Sequence, residues 1–290
     1  MDMIYRQFNK QQLETEYSPS SCVDDIAPFI GQYIKQSEAA EQLAVAKQRV
    51  LKDIAYGDNR DQVLDLFLPM DEESNQGCLH VYIHGGYWQE LSKQESSFAA
   101  TNFQRHGCHF AVINYSLAPS ATLTEIVEQN RRALAYLYLH AEHYGYRRDK
   151  IYVSGSSAGA HLAMLMAQTH WDGYLSVEAD ASIIAGICAV SGIYDIEPIV
   201  HTYVNEPLQL TVTEIEKLSP LALPSKVQCP VIIAYGDNET SEFKRQSNHM
   251  ATLLNVVPEC IKGRNHFDVI LDLADSSSTL FELVARQMRL

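Results

Sequence analysis

The sequence predicts an α/β fold, a mostly parallel central sheet with helices on both faces and a small cap at one edge. Three observations carry this expectation. Short, continuous runs rich in Val and Ile recur along the chain, as strands buried on both faces require. Amphipathic stretches of helical length lie between them. A tight glycine-bearing turn joins one such run directly to a helix-forming stretch. Taken in order, residues 1–48 read as a polar, helix-prone N-terminal extension. Strands are expected at 63–68, 78–83, 110–115, 151–154, 183–190, 231–235 and 256–261, and helices at 123–143, 158–168, 243–254 and 278–288. Residues 195–224 interrupt the alternation and contain Pro198, Pro207, Pro220 and Pro224, which predicts a cap insertion in a single domain spanning 1–290. Parallel strands with helical crossovers gather their loops at the carboxyl edge of the sheet, where a site is expected.

Composition narrows the function classes. With 290 residues, 46% hydrophobic and 20% charged, the chain should fold throughout. A formal net charge of −14 without a basic stripe argues against nucleic acid and anionic membranes as partners. The first ten residues lack the apolar core of a signal peptide, and no apolar run approaches the roughly 20 residues of a membrane span, so a cytoplasmic protein is expected. Six cysteines are scattered without a CxxC pair, which fits buried reduced thiols better than a disulfide framework. His140 and His143 stand one helical turn apart on an amphipathic stretch and read as surface residues. No metal and no organic cofactor is expected. Whether the chain is a monomer or a homodimer stays open.

The chemistry concentrates in a few segments. Ile151-Tyr-Val-Ser-Gly155-Ser-Ser157-Ala-Gly159 runs from a β-type segment through Gly-x-Ser-x-Gly into a helix former. Such an elbow holds a serine in a strained turn that tolerates only small flanking residues, and Gly155 and Gly159 supply the room. Gly-x-Ser-x-Gly alone also occurs in ordinary turns; the strand before and helix after favour Ser157 as a nucleophile. Upstream, Val81-Tyr-Ile-His84-Gly85-Gly86-Tyr87-Trp88 ends an apolar run in a His-Gly-Gly turn. Backbone N–H groups of Gly85, Gly86 and Tyr87, with that of Ala158, would form an oxyanion hole, in which one donor is typically worth about 3 kcal/mol of barrier. The plainer reading is a strand-ending turn with a structural His84.

After an elbow of this kind the acid and then the histidine follow in the chain. His266, in Gly263-Arg-Asn-His-Phe-Asp268, follows a predicted strand and precedes the last helix. His161, His170, His201 and His249 fall instead in helical or cap contexts, although His161 is one turn past the elbow. The run Val231-Ile-Ile-Ala-Tyr-Gly236-Asp237-Asn-Glu239 offers two carboxylates after a strand. Glu239 is the candidate acid and Asp237 the alternative, since either residue type can orient an imidazole and stabilise its charged form.

Further blocks spread over most of the chain: Tyr17-Ser-Pro-Ser20, Tyr56-Gly-Asp58, Asp65-Leu-Phe-Leu-Pro69, Ser92-Lys-Gln-Glu-Ser96, Ser191-Gly-Ile-Tyr-Asp-Ile-Glu-Pro198, Ser241-Glu-Phe-Lys-Arg-Gln-Ser247 and Asn265-His-Phe267. With His84-Gly-Gly-Tyr-Trp-Gln89 and the elbow, they resemble the kynurenine formamidase (arylformamidase) branch of the α/β-hydrolases, near the hormone-sensitive-lipase-like esterases. The resemblance implies an α/β-hydrolase fold, with Ser157 as nucleophile, His266 as base and the Gly85 to Tyr87 loop with Ala158 as oxyanion donors. It aligns the acid with Glu239, where the family usually has aspartate. It further implies hydrolysis of a small-molecule aryl formamide such as N-formylkynurenine, with Tyr87, Trp88, Tyr194 and Tyr203 as candidate aromatic walls or simply core residues. A carboxylesterase for short acyl esters would use the same triad. A catalytically silent ligand-binding relative would be expected to have lost part of it.

Overall fold

The computed structural model of the protein describes residues 3–178, 181–223 and 227–290. Eight strands form one sheet: β1 (Val50–Ala55), β2 (Val63–Phe67), β3 (Leu79–Ile83), β4 (His109–Ile113), β5 (Ile151–Ser156), β6 (Gly186–Val190), β7 (Val231–Asn238) and β8 (Glu259–Asn265). Their spatial order is β1-β2-β4-β3-β5-β6-β7-β8. The β1–β2 and β2–β4 pairings are antiparallel, and every pairing from β4 across to β8 is parallel. The helices are α1 (Lys10–Glu16), α2 (Ala27–Ala46), α3 (Ala100–Arg105), α4 (Leu123–Leu139), α5 (Ala141–Tyr144), α6 (Ala158–Ala167), α7 (Asn205–Leu208), α8 (Val212–Leu218), α9 (Ser241–Leu254) and α10 (Thr279–Met288).

Strands β3 to β6 are buried at every position, so their side chains supply two cores at once. Alternation along each strand sends Val81, Ile83, Val153 and Ile187 to the core shared with α4 and α6. It sends Tyr82, Val112, Tyr152 and Cys188 to the core shared with α2, α3 and α10. No described helix is long and apolar enough to cross a membrane.

The departures from the sequence reading lie mostly at the edges. β1 carries Lys52 and Asp53, is mostly exposed and bulges where Asp53 takes a φ of 54°, so it shows no apolar run to read. At the other edge Val256 and Val257 belong to a loop, with Val257 81% exposed, and β8 begins at Glu259. β6 begins at Gly186, three residues after the expected start. Helix α3 is too short to show a clear period. The expected helix 123–143 divides at His140 into α4 and α5. Residues 195–223 form a 3-10 turn, Glu197–His201, followed by α7 and α8. Pro224, the expected end of that segment, lies outside the described residues.

Candidate active site

Ser157 stands at the junction of β5 and α6 with φ 57° and ψ −120°. A non-glycine residue held there costs about 1–3 kcal/mol and persists only when its surroundings leave no alternative. Those surroundings are visible atom by atom. A Cβ on Gly155 would come within 2.2 Å of the Gly159 carbonyl oxygen, and one on Gly159 within 2.1 Å of that of Ile83. The start of α6 is therefore pressed against both its own strand and the end of β3. On the other side the Ser157 N–H donates to the Val190 carbonyl at the end of β6, at 2.9 Å.

The loop after β3 is equally tight. A Cβ on Gly85 would meet the Ser156 carbonyl at 2.8 Å, and one on Gly86, whose φ is 90°, would meet that of Glu90 at 2.3 Å. Tyr87 and Trp88 continue the turn with φ 51° and 60°. Among the described residues, the backbone N–H groups of Gly86, Tyr87 and Ala158 donate to no protein acceptor. Gly86 and Tyr87 are half-buried and line the same cavity as the serine, and Ala158 is buried next to it in the chain. His84 has a structural place: it stacks on Tyr115 at 4.1 Å, its Nδ1–H donates to the Gly85 carbonyl at 2.9 Å, and burial pushes its pKa down to about 4. His161 is also buried, held neutral at a pKa of about 4, and donates from Nε2 to the Leu218 carbonyl at 2.7 Å, tying α6 to α8.

The remaining partners converge from β7 and β8. His266 Nδ1 donates to Glu239 Oε2 at 2.9 Å, which leaves Nε2 as the ring's acceptor. Glu239 also accepts from the Ser191 hydroxyl and the Gly236 N–H, each at 2.6 Å on Oε1, so its carboxylate is fully oriented. The ring is positioned by an asparagine turn, in which Asn265 Oδ1 accepts from Phe267 N and Asp268 N, and by Phe243 packed at 4.5 Å. Asp237 is exposed and elsewhere engaged: its Oδ1 accepts from Gly263 N at 2.9 Å.

Ser157, His266, Gly85, Gly86 and Tyr87 open on one cavity of about 330 Å³. Of the candidate wall residues, Tyr87 and Tyr203 line it. Trp88 and Tyr194 do not; both are fully buried. Trp88 turns edge-on against the His161 ring at 5.0 Å, and Tyr194 is held in the core where its N–H donates to Gln246. The left-handed turn at Tyr87 and Trp88 carries the indole inward, which residue type alone does not disclose.

Much of the wall comes from where no role is assigned by the motifs: Pro19 and Ser20, then Ile26, Ile30 and Tyr33 at the start of α2. The signal for it was the pair of blocks around Tyr17 and Ser241. In space they meet: the Tyr17 hydroxyl donates to Glu242 at 3.0 Å and accepts from Gln246 at 2.6 Å, and Tyr87 donates to the Tyr17 carbonyl at 2.5 Å. A larger open depression of about 530 Å³, bordered by Asp24, Asp25 and Asn238, contains none of the candidate catalytic groups. Among the described residues, no three His, Cys, Asp or Glu side chains gather in a metal-holding cluster.

Known proteins share this arrangement of chain. The BD-FAE family model matches residues 64–254. Kynurenine formamidases of Danio rerio and Salmo salar are 32% and 33% identical to the chain, with 98% of each sequence covered on both sides. A Silicibacter sp. crystal structure, named as a candidate thioesterase, superposes with a TM-score of 0.81 at 25% identity over 94% of this chain and 99% of that one. An esterase of Pyrobaculum calidifontis shares the fold, with a TM-score of 0.68 at 17% identity over 97% of both chains. The protein is thus an enzyme of the α/β-hydrolase type, and the chain belongs to the BD-FAE family and to the kynurenine formamidase branch of the α/β-hydrolases.

Proposed function

We propose that the protein is an arylformamidase that uses Ser157, His266 and Glu239 to cleave an aryl formamide such as N-formylkynurenine into formate and the arylamine. The observation that carries this reading is the meeting of serine, histidine and acceptor-free N–H groups at one aromatic-walled cavity, of about 330 Å³. That volume is at the small end for ligand sites and suits one compact aromatic molecule. Likeness to kynurenine formamidases along the whole chain supports the choice of substrate.

In this mechanism His266 Nε2 takes the Ser157 hydroxyl proton as Oγ attacks the formyl carbon. The carbonyl oxygen becomes an oxyanion facing the N–H groups of Gly86, Tyr87 and Ala158. His266 then gives its proton to the departing nitrogen, the C–N bond breaks, and a formyl ester remains on Ser157. A water, deprotonated by His266, attacks this ester, and His266 returns that proton to Ser157 Oγ as the C–Oγ bond breaks and formate leaves. Glu239 keeps the imidazole in the tautomer needed for both transfers and stabilises it while charged.

The same proposal takes residues 1–48 as an N-terminal extension and 195–224 as a cap on a single catalytic domain. The net charge of −14 supports small molecules rather than nucleic acid as partners, and a cytoplasmic location goes with that reading. The test is a set of kcat/KM values for N-formylkynurenine beside nitrophenyl esters of increasing acyl length. A formamidase should prefer the formamide to the butyrate ester and lose ester activity as the chain lengthens. Negligible formamide turnover with rates rising towards longer esters would leave the carboxylesterase reading in its place.

A further inference from the structure

Helix α9 begins two residues after Glu239, and its N-terminus is capped in an unusual way. Thr240 is at the capping position, yet its hydroxyl makes no bond to the first turn. It turns outward and donates to the backbone carbonyl of Glu16 at 2.6 Å. The missing acceptor comes from the same distant residue: Glu16 Oε2 accepts from the Glu242 N–H at 3.0 Å and from the Ser241 hydroxyl at 2.8 Å. A carboxylate at this point also complements the positive end of the helix. On the other side of Glu239, the Asn238 side chain donates to the Cys22 carbonyl at 3.0 Å. Residues 238, 240, 241 and 242 are therefore all tied to the N-terminal arm, and Glu239 is the untied residue between them, free to turn inward to His266.

We propose that Glu16 is a positioning residue for the triad acid: it braces the loop between β7 and α9 from outside, so that Glu239 keeps its hydrogen bond to His266. The inference rests on reading Glu239 as the acid. It makes α1 part of the catalytic architecture, although Glu16 touches neither the cavity nor the histidine. Leu13, fully buried one turn earlier, anchors α1 in the core and gives the brace a fixed base.

The test is a double-mutant cycle on purified full-length protein, measured with both N-formylkynurenine and nitrophenyl acetate. Glu16→Ala should lower kcat on the order of tenfold or more with KM little changed, as expected for a small displacement of a group that acts on the transition state. Glu16→Gln, which retains an acceptor oxygen, should recover most of that loss. In a Glu239→Gln background, Glu16→Ala should have almost no further effect, because the group it positions has gone. If the two losses multiply, or if Glu16→Ala lowers only the melting temperature, Glu16 is a structural cap and the proposal falls. Should Glu239→Gln itself cost nothing with either substrate, the assignment of the acid fails and the brace falls with it. If Glu16→Ala is not recovered folded, Glu16→Asp, which withdraws the carboxylate by one methylene, supplies the same cycle.

Discussion

The serine elbow and the acid loop are built on opposite plans. The elbow is held by backbone crowding among β3, β5, β6 and α6, where an added methyl group at Gly155 or Gly159 would strike a carbonyl. The acid loop has one such contact at its root, where a Cβ on Gly236 would meet the Arg264 carbonyl at 2.4 Å, and its outer side is secured by polar contacts from the N-terminal arm. A nucleophile must be fixed to fractions of an ångström and is buried in rigid structure. The acid acts one group further away and is fixed by side chains that could be changed one at a time. The first plan tolerates almost no substitution, and the second should lose activity by degrees.

The sharpest way to break this comparison is at its rigid end. Ser157→Ala should remove turnover by about five to six orders of magnitude while circular dichroism and the melting temperature stay near wild type. The elbow already accommodates a small side chain, so only the nucleophile is lost. A serine-reactive phosphonate should label Ser157 in the wild type; labelling at Ser154 or Ser156 would move the nucleophile.

At the acid loop the expected effects are smaller and divide between two neighbouring carboxylates. Glu239→Gln should lower kcat by about a thousandfold or more, because an amide cannot stabilise the charged imidazole. Asp237→Asn should change kcat by no more than about twofold, as for other exposed substitutions. A larger loss in the Asp237 variant would transfer the role and dissolve the contrast between a fully oriented acid and a surface charge.

The smallest effect expected is one of stability. His80, His84 and His161 are all buried, with burial holding their pKa values near 3, 4 and 4. In the unfolded chain each would titrate near the usual 6.5. The unfolded state therefore binds more protons below that pH, and stability is lost as pH falls from about 6.5 towards 4. His84 and His161 flank the oxyanion loop and α6, so the rigid side carries this acid sensitivity. Melting temperatures measured between pH 7 and pH 4.5 should fall steadily, and the fall should be shallower in a His161→Gln variant. A melting temperature independent of pH would show that the three rings are not held neutral.

The same contrast explains what could be read before the structure. The elbow and the His84-Gly-Gly turn are local, so consecutive residues declare both their conformation and their chemistry. Glu239 and Asp237 could not be separated because their difference is one of direction: one turns towards Ser191 and His266, the other towards Gly263. Trp88 and Tyr194 looked like wall residues because aromatic side chains serve cores and pockets alike. The walls contributed by Pro19, Ile26 and Ile30 were hidden for the converse reason, since apolar residues in a turn or at the start of a helix give no sign of what they face. β1 escaped, and β8 was placed three residues too early, because a sheet edge replaces apolar runs with charge and irregularity.

The arm also sets an order of events in the making of the protein. Tyr17 leaves the ribosome 225 residues before Glu242, and Gln246 follows later still. Strands β3 to β6 can pair and shape the elbow well before that, and the arm can already meet Tyr87, but its ties to Glu242 and Gln246 wait for α9. Closing so long a loop is slow relative to forming local structure. A nascent chain halted before α9 thus has its nucleophile turn and Glu239, but neither the brace on the acid loop nor the base, because His266 follows α9. Hydrolytic activity is then the last property the protein acquires during its synthesis, and premature exposure of the serine is harmless because nothing yet activates it.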